Sequence, residues 1–174
     1  TFQSRFGPQE WLQPYTDKTL ENLPREGIKN VLTICPGFSS DCVETLEEIL
    51  IQGKESFINA GGSNFDMGKK IEIDNKDNLW LTGYSRSLDF DLSFNKGKND
   101  AVLIQLSKNR ILKKVLAIGA EGEDIANSLI HFNENEIIVA GYSDSKEEYF
   151  IENKGGKDIF LAFFLDFFLD IFFL

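Results

Sequence analysis

The alternation of hydrophobic and polar positions changes period once along this chain. Before residue 60, apolar runs and helix-spaced apolar positions take turns. Residues 28–34 contain the mostly apolar run Val31 to Ile34 and predict a buried strand. Pro36 and Gly37 end it, and Ser39, Ser40 or Asp41 can lend a side-chain oxygen to an orphan amide at a helix start. Residues 41–52 accordingly predict a helix. Upstream, Thr16 and Asp17 open a short helix to about Leu23, with Leu20 and Leu23 inward and Pro24 stopping it. Gly27 supplies a turn, Gly7, Pro8 and Pro14 keep the opening segment irregular, and residues 56–59 predict a short strand. Helix, strand, turn, helix and strand in this succession predict an α/β layered domain. Ligands in such folds sit beyond the carboxyl ends of strands, the location of the turn at residues 35–44.

At Gly61-Gly62 the period becomes two, and Gly, Asn and Asp turns replace helical signals. An internal repeat accompanies the change: Gly83-Tyr84-Ser85 recurs as Gly141-Tyr142-Ser143, 58 residues on. The same offset aligns Asp66 with Asp124, Asn75 with Asn133, Gly97 with Gly155 and Asp100 with Asp158. Strand positions Leu79, Leu81, Val102 and Leu103 align with Ile137, Val139, Phe160 and Leu161. The first repeat predicts four antiparallel strands, at residues 69–74, 78–84, 101–106 and 110–118. Asn75-Lys76-Asp77 and Asn133-Glu134-Asn135 read as hairpin turns. The second repeat reads as incomplete: in place of its fourth strand comes a phenylalanine-rich run over residues 158–174, which reads as an extra buried strand or helix or as a degenerate end. The expected organisation is an α/β segment at 1–60, β repeats at 61–118 and 119–164, and a Phe-rich tail at 165–174. Four antiparallel strands at this period are the pattern of a β-propeller blade, although roughly four to eight blades are needed to close a ring.

Composition narrows the function classes. A net charge of -10 with no basic stripe argues against nucleic acid as a partner. The two cysteines, Cys35 and Cys42, form no Cys-x-x-Cys and suggest reduced thiols in a cytoplasmic setting. His131 stands alone, which argues against zinc, and its predicted strand position makes a packed or half-exposed histidine the plain reading. The apolar run near the end is shorter than the roughly 20 residues a membrane helix needs, and Asp166 and Asp170 interrupt it. No leader peptide is visible, and without an initiator Met the chain reads as a piece of a longer protein.

The candidate chemistry lies at residues 35–48. Asp41, Glu44 and Glu48 stand at i, i+3 and i+7 of the predicted helix, a spacing that places three carboxylates on one face. A solvated acidic face near a helix N-terminus is one reading. A site for a hard cation or for proton transfer at the mouth of a strand-to-helix turn is the other. Trp11, in the opening loop, reads either as a core plug or as a ring platform for a ligand.

Two ordered blocks bear on that choice. The first is Phe2-Gln3-Ser4-Arg5-Phe6-Gly7-Pro8 with Trp11-Leu12, Pro14 and Thr16-Asp17. The second is Pro36-Gly37-Phe38 with Ser40-Asp41 and Glu44-Thr45-Leu46-Glu47-Glu48, followed by Glu55-Ser56-Phe57, Ala60-Gly61-Gly62 and Phe65. Together they resemble ferrochelatase, the enzyme family that inserts ferrous iron into a porphyrin, over residues 1–65. The resemblance implies a lyase of haem biosynthesis that takes protoporphyrin IX and ferrous iron as substrates and needs no other cofactor. It implies Glu44 as the metal-site and catalytic glutamate, Asp41 and Glu48 as members of an acidic path for protons or metal, and Trp11 and Phe38 as porphyrin-pocket residues. The family's catalytic histidine lies upstream of the first block, so a histidine-bearing lobe is required and the chain alone is expected to be inactive.

The repeats resemble the SBBP family of β-propeller repeats, in Gly61-Gly62 to Asp66, Asp74 to Asp77-Asn78, Leu81-Thr82-Gly83-Tyr84-Ser85 and Asn99-Asp100-Ala101. That resemblance implies no chemistry and supports an alternative function, a non-enzymatic binding or surface scaffold. Asp66, Asp74, Asp77 and Asp100 read as turn residues, since no D-x-D-x-D-G calcium loop is present. The fold class expected overall is α/β, a fragment of a chelatase-like layered domain followed by antiparallel propeller-like repeats. Gly61-Gly62, common to both patterns, is where two unrelated sequences would join.

Overall fold

The computed structural model describes residues 1–3, 8–38, 40–87, 95–134, 136–147, 150, 152–165 and 168–173. The chain divides into two compact units, Thr1–Asp66 and Met67–Leu174. No helix among the described residues is long and apolar enough to cross a membrane.

In the first unit, α1 (Thr16–Asn22) is followed by β1 (Asn30–Ile34), a π-helical run (Glu44–Gly53) that continues as α2 (Lys54–Asn59), and the start of β2 (Asn64–Ile73). The cap expected at Thr16-Asp17 is not made: Tyr15 holds the N-cap position with no side-chain cap bond, and Asp17 accepts the neighbouring Lys18 amide, at 2.7 Å. The amide of Ile28 donates to the Leu23 carbonyl at 3.0 Å and turns the chain toward β1. Thr33 Oγ1 donates to the Asp66 carbonyl at 3.1 Å, which ties β1 to the start of β2. Leu20, Ile49, Phe57 and Phe65 form the buried apolar set, with Phe57 and Phe65 ring to ring at 6.0 Å.

Residues 56–59 are helical, not the short strand that the sequence suggests. The reason lies in the next two positions. Gly61, at φ 98°, donates its amide to the Ile58 carbonyl at 2.9 Å, and Gly62 donates to the Phe57 carbonyl at 2.9 Å. That is a Schellman C-cap, in which a left-handed glycine closes the last carbonyls of a helix. Gly61-Gly62 is thus helix punctuation. Gly62 must also lack a side chain, since a Cβ there would meet the Phe57 ring at 2.2 Å.

The second unit is antiparallel. The rest of β2, then β3 (Leu79–Ser85), β4 (Asp100–Leu106) and β5 (Leu112–Ile118), pair in sequence order. β6 (Asp124–His131), β7 (Glu136–Ser143), β8 (Asp158–Leu165) and β9 (Phe168–Phe173) form a second sheet in sequence order. The described strands form no closed ring. The core gathers Ala101, Leu103 and Ile118 from β4 and β5 with Leu129, Val139 and Phe160 from the second sheet. Strand β9 makes the Phe-rich run a fourth strand of the second sheet, where the sequence leaves open an extra strand, a helix or a degenerate end. Ile171 stands opposite Ala162, Leu169 opposite Phe164, and both pack against the core. The alternation is there in the sequence, but phenylalanines on both parities conceal it.

The repeat is visible in the hydrogen bonds. Asn95 Nδ2 donates to the Ser85 carbonyl at 2.9 Å, and Asn153 Nδ2 to the Ser143 carbonyl at 2.8 Å. The amides of Ser87 and Ser145 donate to the hydroxyls of Ser85 and Ser143 at 2.9 and 3.0 Å. Asp100 and Asp158 accept the amides of Lys96 and Lys154 at 2.9 and 2.6 Å. Asp74 shows why turn chemistry explains these acids. Burial works to raise its pKa, but bonds from Asn78, Trp80 and the Lys76 amide outweigh it and pull the pKa down to about 2. His131 is half-buried, with its ring edge to the Trp80 ring at 5.9 Å.

Asp100 carries a pH prediction. Burial, with the Asp124 charge added, pushes its pKa up to about 6 against the opposing bond from Lys96. A carboxyl that holds its proton more tightly folded than unfolded stabilises the fold in acid. That contribution is full below the ordinary value of 3.8, falls as pH rises toward about 6, and is gone above it. Asp100→Asn is expected to flatten this decline and to raise stability at neutral pH by about 1 to 3 kcal/mol. Urea midpoints at about pH 4.5 and about pH 7 read it, and an unchanged slope in the variant contradicts it.

Candidate functional site

The turn after β1 is short: the Phe38 amide donates to the Cys35 carbonyl at 3.2 Å. Thr45, 2% exposed, organises the entry to the helix. Its Oγ1 accepts the Cys42 amide at 2.9 Å and shares its hydrogen between Asp41 Oδ1 and the Cys42 carbonyl, both at 3.1 Å. The π-helical run begins at Glu44. Its bonds reach one residue further than those of an α-helix, so side chains do not keep the spacing assumed for residues 41–52. Asp41 lies before the run.

The three carboxylates therefore have separate surroundings. Asp41 is exposed and accepts from Thr45. Glu44 is half-buried and accepts the Cys42 thiol, Sγ to Oε2, at 3.2 Å. That bond, with the Glu44 amide, holds its carboxyl below the usual carboxylate range, so Glu44 is ionised. Glu48 Oε2 accepts Gln3 Nε2 at 2.8 Å, which joins the opening segment to the helix. Among the described residues no group of three or more His, Cys, Asp or Glu side chains is placed to hold a metal. The single face of three carboxylates expected from i, i+3 and i+7 spacing is not formed as one cluster.

The residues that do converge line a cleft of about 820 Å³ in the first unit, with Phe2, Trp11, Leu20, Ile34, Phe38 and Glu44 among its lining residues. Its size is that of a site for a sizeable organic ligand. Phe38 is 46% exposed and lines the cleft. Trp11 is half-buried, and its indole Nε1 is buried with no acceptor among the described residues. Asp41 and Glu48 are not among the cleft's described lining residues. Of five candidate residues, Trp11, Phe38 and Glu44 meet at one cavity. Spacing gives no sign of Gln3, Thr45 and Cys42, which position the acids; only their place in or beside the two sequence blocks marks them.

Residues 1–83 match the ferrochelatase family model. The ferrochelatase of Actinobacillus pleuropneumoniae serotype 5b (strain L20) is 63% identical over 65 residues, which are 37% of this chain and 20% of that protein. The ferrochelatase of Pseudoalteromonas atlantica is 61% identical over 66 residues, 38% of this chain and 18% of the relative. That of Vibrio vulnificus (strain YJ016) is 66% identical over 65 residues, with 37% and 20% covered. The chain thus spans about one fifth of the length of the curated relatives it matches. The matched segment includes all of the cleft's described lining residues.

Proposed function

We propose that the first unit carries the acidic and aromatic part of a ferrochelatase site, acting on a porphyrin and ferrous iron to give haem. One observation carries this reading: Trp11, Phe38 and an ionised Glu44 share one apolar-walled cleft inside the segment that matches that family. The two rings suit a flat macrocycle, which stacks on aromatic faces. Metallation exchanges ferrous iron for two pyrrole protons, so a carboxylate ionised at neutral pH is the group required at the point of entry. Glu44 has that charge and is the proposed metal-site residue. Asp41 and Glu48, before and after it in sequence and outside the cleft's described lining, are the proposed members of an acidic path for the protons released. The remainder of the site, including its histidine, belongs to a lobe that this chain needs as a partner.

Porphyrin absorbance tests the reading. Adding the chain to protoporphyrin IX is expected to shift the Soret band, and Trp11→Ala to weaken the apparent affinity about tenfold or more, a loss of roughly 1.4 kcal/mol of ring contact. Glu44→Gln is expected to leave the shift in place. A Soret band that ignores the chain sinks the porphyrin reading. It leaves the second reading, a non-enzymatic propeller-like repeat scaffold, which the shared core of the second unit's two sheets supports.

A further inference from the structure

We propose that the outer face of the β6–β9 sheet is a docking surface for a further four-stranded sheet of the same 58-residue repeat. Strand β4 of the first repeat turns Ala101 and Leu103 into the core shared with the second sheet, where they are 0% and 1% exposed. Trp80 of β3 packs against the same core. Shifted by the repeat offset, these positions become Ile159, Leu161 and Ile138. The strand alternation puts all three on the side of the second sheet opposite Phe160, Ala162 and Val139, which face the core. Leu116 pairs with Leu103 across β4 and β5 and stays 41% exposed beside the shared core, and Phe172 pairs with Leu161 across β8 and β9 in the corresponding place.

This face is built like the covered one and is not covered. Ile159, Leu165 and Phe172 are 56%, 48% and 55% exposed, and Phe163 meets Phe172 edge to face at 5.5 Å. Contiguous exposed apolar side chains on one sheet face mark an interaction site. The repeat identifies the occupant. The first sheet's copy of this face is covered by a sheet presenting Ala126, Leu129, Val139, Phe160 and Ala162. A third sheet with that pattern is the partner whose shape the surface already fits, as in arrays where each repeat contacts only its neighbours. A second copy of this chain is a poorer occupant. Its matching residues Leu81, Val102 and Ile104 are already buried, at 7%, 3% and 7% exposure.

The test extends the full chain by a copy of residues 119–173 after Leu174, since residues 119–123 make the link from β5 to β6. Amide exchange in β7 and β8 is expected to slow at least tenfold in the extended chain. Leu161→Glu is expected to leave the unextended chain's urea midpoint unchanged and to abolish the added protection in the extended one. Leu103→Glu, at the interface already formed, should unfold both. Three outcomes overturn the proposal: equal exchange with and without the extension, an appended repeat that stays unfolded while the original transition persists, or a concentration-dependent dimer of the unextended chain that Leu161→Glu dissociates.

Discussion

Gly141→Ala is expected to destabilise the second unit by about 3 kcal/mol or more. A Cβ at residue 141 would stand 2.1 Å from the Ile125 carbonyl oxygen and 2.8 Å from the Phe160 ring. The carbonyl belongs to β6 beside the bulge between Ala126 and Ser128, so relief requires the β6–β7 pairing to open. The ring is fully buried and cannot swing into solvent. Gly83→Ala meets the same obstacle, with the Met67 carbonyl oxygen at 2.0 Å beside the bulge between Gly68 and Lys70. Gly37→Ala, where nothing lies within 4 Å, is the control and should change stability by no more than about 0.5 kcal/mol. Urea unfolding followed by tryptophan fluorescence reads all three, and a Gly141→Ala loss below about 1 kcal/mol would refute the steric account.

These glycines explain why the Gly-Tyr-Ser repeat is legible in the sequence. The glycine and the serine each have a local duty that few other types can perform. The glycine admits a neighbouring carbonyl. The serine hydroxyl accepts the amide two residues on, and in the second repeat Ser143 also bonds Asp124. Burial pushes the pKa of Asp124 up, against bonds from Ser143, the Ala120 amide and Ser145. Because such duties are set within one hairpin, they recur at a fixed offset, and the first repeat's four strands follow from them. Strand β9 lacks that signature. Its place is set by the core it completes, where Leu169 and Ile171 fill positions that only the folded sheet defines. Residues 56–59 mislead for a different reason: β-branched and aromatic side chains suggest a strand, while the two glycines after them close a helix.

The candidate site is legible as a set of residue types and less so as a geometry. Trp11 and Phe38 are distant in sequence, and no periodicity connects them; the two sequence blocks do. The spacing of Asp41, Glu44 and Glu48 assumes an α-helical turn, whereas the chain enters a π-helical run only at Glu44 and gives each acid a different partner. A donor two residues before a glutamate, such as Cys42, has no spacing rule in a regular helix. Its bond to Glu44 is made at the helix entry, where the Cys42 carbonyl already accepts the Leu46 amide at 3.0 Å.

Glu44→Gln, placed in a full-length enzyme carrying this segment, is expected to lower iron insertion at least about a hundredfold, the usual scale for losing a positioned acid–base group. Porphyrin binding, read from the Soret band, should survive, because the aromatic wall is untouched. A fall in turnover with unchanged porphyrin affinity would place the loss in the chemical step, whereas a parallel loss of both would mean that the residue only shapes the cleft. The Cys42 thiol supplies a finer test. It is the largest influence holding the Glu44 carboxyl below the ordinary range. Cys42→Ala removes that donor, so Glu44 should take up its proton at higher pH than before. The acid limb of the pH–rate profile should then move upward while the plateau at neutral pH, where Glu44 is ionised in both forms, stays nearly level. A glutamine cannot titrate, so the same Cys42 change made on top of Glu44→Gln should leave whatever acid limb remains where it was. Movement of that limb in the double variant would assign the titration to another group and remove Glu44 from the proposed metal entry point.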